Sequence, residues 1–512
     1  MLEPLILDDM AWSKLDIMEY LVAHPPGTYT INTLCLDLAL SFTRTANLVT
    51  EIAADFQELF SYQLLDTGRK LIWQPEKYRH NDYIQFLLRH SVSYQFVCCT
   101  LLTPTVRFDT FCESLYLSQS TVLRKLQPLR ELLSEYSLSC HSSKMALTGP
   151  ENMLRSFYTM YLWAGSHGDD LILSNDDFSD EQRLTKILFE TVGSFMHPKE
   201  LLLRLSISRL RFNQGYRLAL THQDLFSQSI LRPVLQSYTS RFISDTSQAT
   251  LHVNYLIQNL YLTSQYTDTM DFRVVELQKF YQSQSSDCAI ITTIDEYCQY
   301  FQQNIVESSV PNSAGYLMKI NLLATLLNFE EYQGNNPRIM DLTKHTATDD
   351  QEAFYHLLEQ NEAFFSTFRL QKRFFWLKHA QDSFSETITH AVFPCYKVTA
   401  QQQKLRVALL TSPDHYICQT LTDLLSHLEF VELVAPEKQL KTADFYVTTF
   451  TSLLPTDLKT PYFVVDLMEH VDYQTQLFSA LWHTYQKKAL AQVFPNRLSA
   501  SGNQTETGPK RR

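Results

Sequence analysis

The sequence predicts a mainly α-helical, multidomain protein that ends in a small α/β domain with a parallel sheet. Three observations support this fold class. Only 11 of the 512 residues are glycine, and apolar residues recur at helical spacing through most of the chain. Compact apolar strands that alternate with helices occur together only after about residue 400. Within the first 150 residues, a pattern of helix, turn, helix and β-hairpin occurs twice, which predicts tandem winged helix-turn-helix units.

The first copy of this pattern occupies about the first 75 residues. A helix is predicted over residues 12–23, and the prolines at 25 and 26 end it. Thr30 is placed to cap a second helix over residues 31–38, and a short turn leads to a third helix over residues 43–56. Residues 61–73 predict two strands around a tip at Asp66-Thr67-Gly68, which would form a wing. The side chains expected to face a base edge or a phosphate are Arg44, Thr45, Asn47, Arg69 and Lys70.

The second copy runs from about residue 83 to residue 149. A supporting helix is predicted over residues 106–115, followed by a turn and a recognition helix over residues 118–126. Pro128 should break the continuation of that helix, and residues 138–147 predict the second hairpin. Glutamine can pair with adenine, arginine with guanine or phosphate, and small hydroxyls with either. The outward residues predicted to contact DNA are Gln119, Ser120, Thr121, Arg124 and Lys125.

The charge of this region opposes strong DNA binding. Residues 1–150 contain 12 lysines and arginines against 16 aspartates and glutamates. Because non-specific affinity for DNA comes from neutralising phosphates, binding should be weak for one protomer and should depend on salt. A dimer or a local basic face would then be needed. The alternative, a three-helix packing module that contacts no nucleic acid, stays open for each unit.

Composition and motifs exclude several classes of protein. The formal net charge is −12, and no apolar run reaches the roughly 18 residues of a membrane-spanning helix. The start of the chain has no basic segment of the secretory type, so we expect a cytoplasmic protein without a membrane partner. The nine cysteines form no CxxC pair, which favours free thiols over zinc sites or disulfides. We find no phosphate-binding loop, HExxH or nucleophile elbow, and we expect no catalysis, cofactor or metal.

The middle of the chain, about residues 151–395, is predicted to be helical. Residues 201–215 can be laid over residues 320–334 at an offset of 119. Both stretches are apolar helices that end at Gln-Gly, a sequence suited to a helix C-terminus. This match predicts two copies of a helical domain. A chance match between two amphipathic helices remains the alternative.

The last part of the chain reads as alternating strands and helices. Strands are predicted over residues 405–410, 430–434, 444–449 and 462–466. Helices are predicted over residues 416–428 and 473–490, and the polar residues from 499 onward should be disordered. Buried apolar strands that alternate with helices predict a parallel sheet.

The order of these parts resembles the Mga-type transcriptional regulators of Gram-positive bacteria. The best local pieces are the recognition-helix sequence at residues 118–126 and the junction Thr148-Gly149-Pro150-Glu151. The resemblance covers the chain except its tail. It implies a first winged unit at 1–80, a second at 81–150, helical regulation domains at 151–280 and 281–398, an α/β domain like the IIB subunit of sugar transporters at 399–495, and a disordered tail at 496–512.

In that family, the helical repeats resemble domains in which histidine phosphorylation by the sugar phosphotransferase system tunes activity. The family pattern places a histidine seven residues before an arginine and eleven before a glycine. Here Arg211 and Gly215 match, but Arg204 stands at the histidine position. In the second repeat Leu323 and Glu330 stand at the histidine and arginine positions. Neither arginine nor leucine can accept a phosphoryl group in this chemistry. The candidate regulatory residues are Arg204, His222 and His252.

The end domain departs from the family in the same direction. A IIB phosphocarrier needs a cysteine after its first strand, but this chain has Thr411 to Asp414 there, and Cys418 comes one turn into the next helix. We therefore expect this domain to serve as an interaction and dimerisation surface. The resemblance implies a DNA-binding transcriptional regulator, an activator, with promoter DNA, a second copy of itself and a phosphotransferase-system phosphocarrier protein as partners. The alternatives are a helical scaffold without DNA or a phosphotransferase-system component.

Overall fold

The structure is a computed structural model of the chain, and it divides into two compact units. It describes residues 6–166, 178–193, 195–219, 225–262, 265–284, 288–306, 309–334, 337, 351–400, 404–411, 415–434, 443–454, 460–465 and 473–493. The first unit comprises residues 1–263 and 331–344, and the second comprises residues 264–330 and 345–512. Both predicted winged units and the helices that follow them up to residue 262 therefore belong to the first compact unit.

The first winged unit contains helices α1 (Asp9–Val22), α2 (Ile31–Asp37) and α3 (Phe42–Phe60). The hydroxyls of Thr30 and Ser41 cap α2 and α3 by accepting a backbone N–H three residues later. Leu48, Ile52 and Phe56 on α3 are buried, because apolar residues at helical spacing form one face toward the core. The three helices predicted from the sequence are thus confirmed, with ends shifted by a few residues.

The wing of this unit differs from the prediction. Strand β2 (Leu71–Trp73) pairs with β1 (Gly27–Tyr29), a strand that follows the prolines after α1. The expected first strand of the hairpin forms one bridge, from Leu65 to Leu71, with a backbone hydrogen bond on either side of it: the N–H of Ile72 donates to Leu64 and that of Asp66 donates to Lys70. Ser61 has a left-handed backbone conformation (φ +50°) that turns the chain sharply at the end of α3. The predicted turn and the second strand are therefore present, but the prediction of a first strand before the turn was wrong.

The second winged unit follows directly. Helices α4 (His80–His90) and α5 (Val92–Leu102) support α6 (Phe108–Ser114), α7 (Gln119–Lys125) and α8 (Gln127–Glu135). Pro128 stands in the first turn of α8, where its missing N–H costs nothing, so the break predicted at this proline is confirmed. The predicted hairpin is also confirmed: β3 (Ser139–His141) pairs antiparallel with β4 (Ala146–Thr148).

The two winged units repeat at an offset of 77 residues. Ala39 and Tyr116, in the turns before α3 and α7, both have a left-handed backbone with φ of +55° and +54°. Two residues later, the hydroxyls of Ser41 and Ser118 cap the next helix. The single helix α3 thus corresponds to α7 and α8 together.

The remaining helices of the first unit begin at the wing of the second winged unit. They are α9 (Glu151–Ser166), α10 (Ser179–Val192), α11 (Pro198–Asn213), α12 (Arg232–Thr239) and α13 (Thr246–Leu262). Nearly every side chain of α9 is buried, because it packs against α4 and α5 on one side and against α11 on the other. The predicted end of α11 is confirmed at Gly215, whose φ of +92° is left-handed.

The second unit begins with helices and ends with a parallel sheet. Its helices are α14 (Phe272–Ser283), α15 (Ala289–Tyr300), α16 (Asn312–Glu331), α17 (Gln351–Ser366) and α18 (Leu377–Ala400). One π-helical turn, Phe301–Ile305, continues α15. In the part of the chain that the structure describes, no helix is both long and apolar enough to cross a lipid bilayer.

The predicted parallel sheet is confirmed. Strands β5 (Leu405–Leu410), β6 (Val431–Val434), β7 (Phe445–Thr448) and β8 (Tyr462–Val464) lie in the order β6, β5, β7, β8, and every neighbouring pair is parallel. Helices α19 (His415–Ser426) and α20 (Tyr473–Val493) pack their apolar residues against it. The fold is thus mainly helical with a small parallel α/β part. The tail at 496–512 lies outside the described residues.

Candidate nucleic-acid interface

The predicted recognition helix of the second unit is α7. Its cap, Ser118, accepts a hydrogen bond from the backbone N–H of Thr121 at 3.3 Å, which fixes where the helix begins. Val122 is fully buried and holds the opposite face of α7 in the core. Gln119 and Ser120 are exposed, and Thr121 is half-buried. The side-chain amide of Gln119 donates to a carboxylate oxygen of Asp109 at 2.5 Å, so it must exchange that partner to reach a base.

The two cations of α7 have different surroundings. Arg124 is exposed, and among the described residues it forms no ion pair. Lys125 is half-buried, and its ammonium group donates to the carboxylate of Asp8, the residue that caps α1 of the first winged unit. Arg124 is therefore available to a phosphate or a base edge as it stands. Lys125 is available only if it leaves Asp8.

Arg130 connects α7 to the wing, a role that sequence reasoning missed. Its guanidinium donates to the carbonyl oxygen of Leu123 at 3.3 Å and to the hydroxyl of Ser142 at 3.2 Å. Ser142 begins the 3₁₀ turn at the wing tip, which also carries the exposed Lys144. Recognition helix and wing thus share one arginine, and both present a cation. The sequence offers no signal for the contact between Arg130 and Ser142.

The predicted recognition helix of the first winged unit, α3, exposes two of the side chains predicted to contact DNA, against three on α7. Thr45 is fully buried, and its hydroxyl donates to the carbonyl oxygen of Ser41 at 3.0 Å, so the prediction that Thr45 points outward was wrong. Asn47 is exposed. Arg44 is exposed too, but its guanidinium donates to the hydroxyl of Ser13 at 2.8 Å. Phe42, the first residue of α3, is 57% exposed, where α7 has a glutamine.

Arg69 and Lys70 lie where the sequence placed them, beside the tip of the first wing. Both are exposed. Asp66 organises this turn, because its side chain accepts the backbone N–H of Lys70 at 2.7 Å and its carbonyl oxygen accepts that of Arg69 at 3.1 Å. Arg69 has a left-handed backbone, with φ of +56°. The tip thus presents two cations around one carboxylate.

Charge is divided unequally between the two winged units. Residues 1–78 carry 11 acidic and 5 basic side chains, whereas residues 79–150 carry 5 acidic and 7 basic side chains. The acidic balance of residues 1–150 therefore comes from the first winged unit alone. Because a DNA duplex carries a dense row of negative charges, the net charge of the second winged unit favours its approach and that of the first winged unit opposes it.

A buried ionic cluster lies directly behind the second wing. Glu151 is the first residue of α9. Its carboxylate accepts a hydrogen bond from Nε of Arg155 at 2.8 Å and two hydrogen bonds from nitrogens of Arg211 at 2.7 and 3.2 Å. Both arginine side chains are 1% exposed and that of Glu151 is 7% exposed. Burial acts to lower the pKa of Arg211, but the hydrogen bonds and charge of Glu151 outweigh it and raise that pKa. One carboxylate thus compensates two buried guanidinium groups.

His252 borders this cluster and is fully buried. A guanidinium nitrogen of Arg155 lies 3.3 Å from its Nδ1, and Ser208 lies 3.5 Å away. Burial, followed by the charges of Arg155 and Arg217, lowers the pKa of His252 to about 2, so the imidazole is neutral at physiological pH. A phosphocarrier protein could not reach this ring without an opening of the helices around it.

Of the other two candidate regulatory residues, Arg204 and His222, the structure describes only Arg204. Arg204, at the family's histidine position, pairs with Glu200 one turn earlier in α11 at 2.7 Å and also donates to Asn259 on α13. It therefore supplies a fixed charge that is already paired with a carboxylate. His222 lies outside the described residues.

Helix α9 joins this cluster to the second winged unit. The hydroxyls of Tyr158 on α9 and Thr100 on α5 lie 3.0 Å apart, and both are buried. Gly165, near the end of α9, lies so close to the Tyr94 ring that an added Cβ would be 2.3 Å from it. Helix α9 is therefore closely packed against α5 of the second winged unit.

Comparison with known proteins gives one result for this region. Residues 77–162 match the sequence model of the Mga helix-turn-helix domain. The matched stretch contains α4 to α8, the β3–β4 hairpin and most of α9. No curated protein matches the chain. The match indicates DNA-binding transcription regulation and supports the resemblance to Mga-type regulators through the second winged unit, the more basic of the two.

Proposed function

We propose that this protein is a sequence-specific transcriptional regulator whose second winged unit makes the main contact with promoter DNA. The observation that carries the proposal is the face of α7, where Gln119, Ser120 and Arg124 are exposed on a short helix capped at Ser118, and Arg124 forms no ion pair with any residue that the structure describes. A helix of this kind fits the major groove, where arginine and glutamine can read guanine and adenine. The excess of basic residues in this unit supports the same assignment.

In this proposal the wing completes the contact. Lys144 at its tip would bind a backbone phosphate, and Arg130 would keep the tip at a fixed distance from α7. Phosphate contacts set the register of a protein on the duplex, whereas base contacts set its sequence preference. Arg69 and Lys70 on the first wing would add phosphate contacts, with the acidic surface of their unit opposing them.

The rest of the chain is assigned to control and assembly. The two sets of helices would respond to sugar uptake through a phosphocarrier protein, and the parallel α/β part would hold two protomers together, so that the dimer acts as an activator. The resemblance to Mga-type regulators supports these roles. The burial of His252 favours a control mechanism other than direct phosphorylation of that residue.

The test begins with a duplex selected from a random library by the full chain. Affinity is then measured at two salt concentrations for the wild type and for the double variant Arg124→Ala plus Lys125→Ala. We expect the double variant to bind about 5- to 150-fold more weakly and to lose about two units of salt slope, since each phosphate contact contributes about 0.9. The matched control, Arg69→Ala plus Lys70→Ala, removes two cations from the first wing and should have a smaller effect.

The second candidate function is that of a protein scaffold that contacts no DNA, and the net negative charge of the first winged unit favours it. If no duplex is enriched and the wild type shows no salt-dependent binding, the proposed DNA contact is wrong and the scaffold function is favoured. Equal losses in the two double variants would instead show that both units share the contact, which would contradict the leading role of the second unit.

A further inference from the structure

We infer that Asp8, in the first winged unit, sets the DNA affinity of the second by holding Lys125 of the recognition helix away from phosphate. This inference rests on the proposed function of α7. The carboxylate of Asp8 and the ammonium group of Lys125 are in direct contact, although the two residues are 117 positions apart in the sequence. Asp8 therefore occupies the cation that a phosphate would need.

The contact lies in a cleft that is lined by residues of both winged units. This cleft has a volume of about 760 Å³, and its lining includes Arg124 and Lys125 from α7 and Asp8, Asp9 and Glu51 from the first winged unit. Lys14 also lines it, but its ammonium group already binds Asp55 at 2.9 Å and Glu51 at 3.2 Å. The charged side chains that the first winged unit contributes to the cleft are thus carboxylates and one lysine whose charge is neutralised.

The two residues of the pair stand at fixed positions in the backbone. Asp8 also caps α1 by accepting the backbone N–H of Ala11 at 3.0 Å, so its position is fixed by the start of that helix. The carbonyl oxygen of Lys125 accepts a hydrogen bond from Ser93 at 3.1 Å, which fixes the end of α7. The backbone of both residues is thus ordered before the pair forms, and the main entropy cost of the contact is that of ordering the Lys125 side chain.

A phosphate and Asp8 cannot both neutralise Lys125. Part of the energy of a DNA contact must then be spent on breaking the pair, and the freed carboxylate would repel the phosphate. The pair is partly exposed, at 30% for Lys125 and 42% for Asp8, so its strength is that of a surface ion pair. The first winged unit thus weakens the second to a limited extent. Asp8 acts through Lys125 and is a positioning residue.

The test uses Asp8→Asn in the full chain, because asparagine caps a helix as well as aspartate does and keeps α1 intact. Affinity for the selected duplex should rise about two- to fivefold. The matched control is Asp9→Asn, which removes the same charge one residue away without touching Lys125, and its effect should be clearly smaller. In a Lys125→Ala background, Asp8→Asn and Asp9→Asn should have the same effect.

The outcomes separate this inference from the proposed function. If the wild type binds the duplex and Asp8→Asn binds equally or more weakly, the inference is wrong and the pair only joins the two units. The inference is also wrong if Asp8→Asn raises affinity as much in the Lys125→Ala background as in the wild type, because the cause would then be general repulsion by the first winged unit. If no variant and no wild type binds any duplex, the proposed function itself fails.

Discussion

Replacing Glu151 by glutamine tests whether the ionic cluster behind the second wing holds the first unit together. The substitution keeps the shape of the side chain but removes the charge that two guanidinium groups share. Arg155 and Arg211 are each 1% exposed, so water cannot replace the carboxylate. Removing one partner of a buried ion pair costs about 3–5 kcal/mol. For a unit of this size that corresponds to a fall in Tm of about 6–20 °C.

The assay is thermal unfolding of the full chain by differential scanning calorimetry. Glu190→Gln is the matched control, since Glu190 pairs with Lys186 at 3.8 Å on the surface of α10 and its loss should cost less than about 0.5 kcal/mol. Arg155→Met should cost less than Glu151→Gln, because it leaves Glu151 paired with Arg211 and the site neutral. Equal Tm values for Glu151→Gln and Glu190→Gln would refute the reasoning about this cluster.

Three further predictions follow from single residues. The pKa of His252 is lowered to about 2, so between pH 2 and about pH 6.5 the unfolded chain binds a proton on this residue that the folded chain does not. The free energy of unfolding should therefore fall by about 2 kcal/mol from pH 7 to pH 5 because of His252. In urea unfolding, His252→Gln should flatten this part of the pH profile of stability, and an unchanged profile would disprove the prediction. Gly165→Ala should destabilise the first unit by about 1–3 kcal/mol through its clash with Tyr94, and a Tm at or above the wild type would contradict this packing. Thr45→Val should leave affinity for the selected duplex unchanged, since the hydroxyl is buried; a loss of affinity would restore Thr45 to the interface.

Much of the fold could be predicted from the sequence, because its signals are local. The caps Thr30, Ser41 and Ser118 and the break at Pro128 set helix ends within a few residues of the structure. The apolar runs of the end domain gave four strands and their parallel arrangement. Strand β1 escaped prediction, since three residues after two prolines carry no alternating pattern and become a strand only by pairing with β2.

The interface was predicted less completely, because its properties depend on contacts between distant residues. Helical spacing placed Thr45 on a polar face, but only packing shows that this side chain is in the core. No sequence pattern connects Asp8 to Lys125 or Arg130 to Ser142. Charge counted over the whole region hid the difference between an acidic and a basic unit, which becomes visible only when the boundary near residue 78 is known.

The central claim is that α7 contacts DNA, and site-specific photo-crosslinking tests it most directly. A photoreactive amino acid is placed at Ser120, exposed on α7, and, as a control, at Glu190, exposed on α10. With the selected duplex bound, we predict an efficient crosslink from position 120 that unlabelled duplex abolishes, and none from position 190. A duplex that is bound by the protein but yields no crosslink at position 120 would contradict the claim.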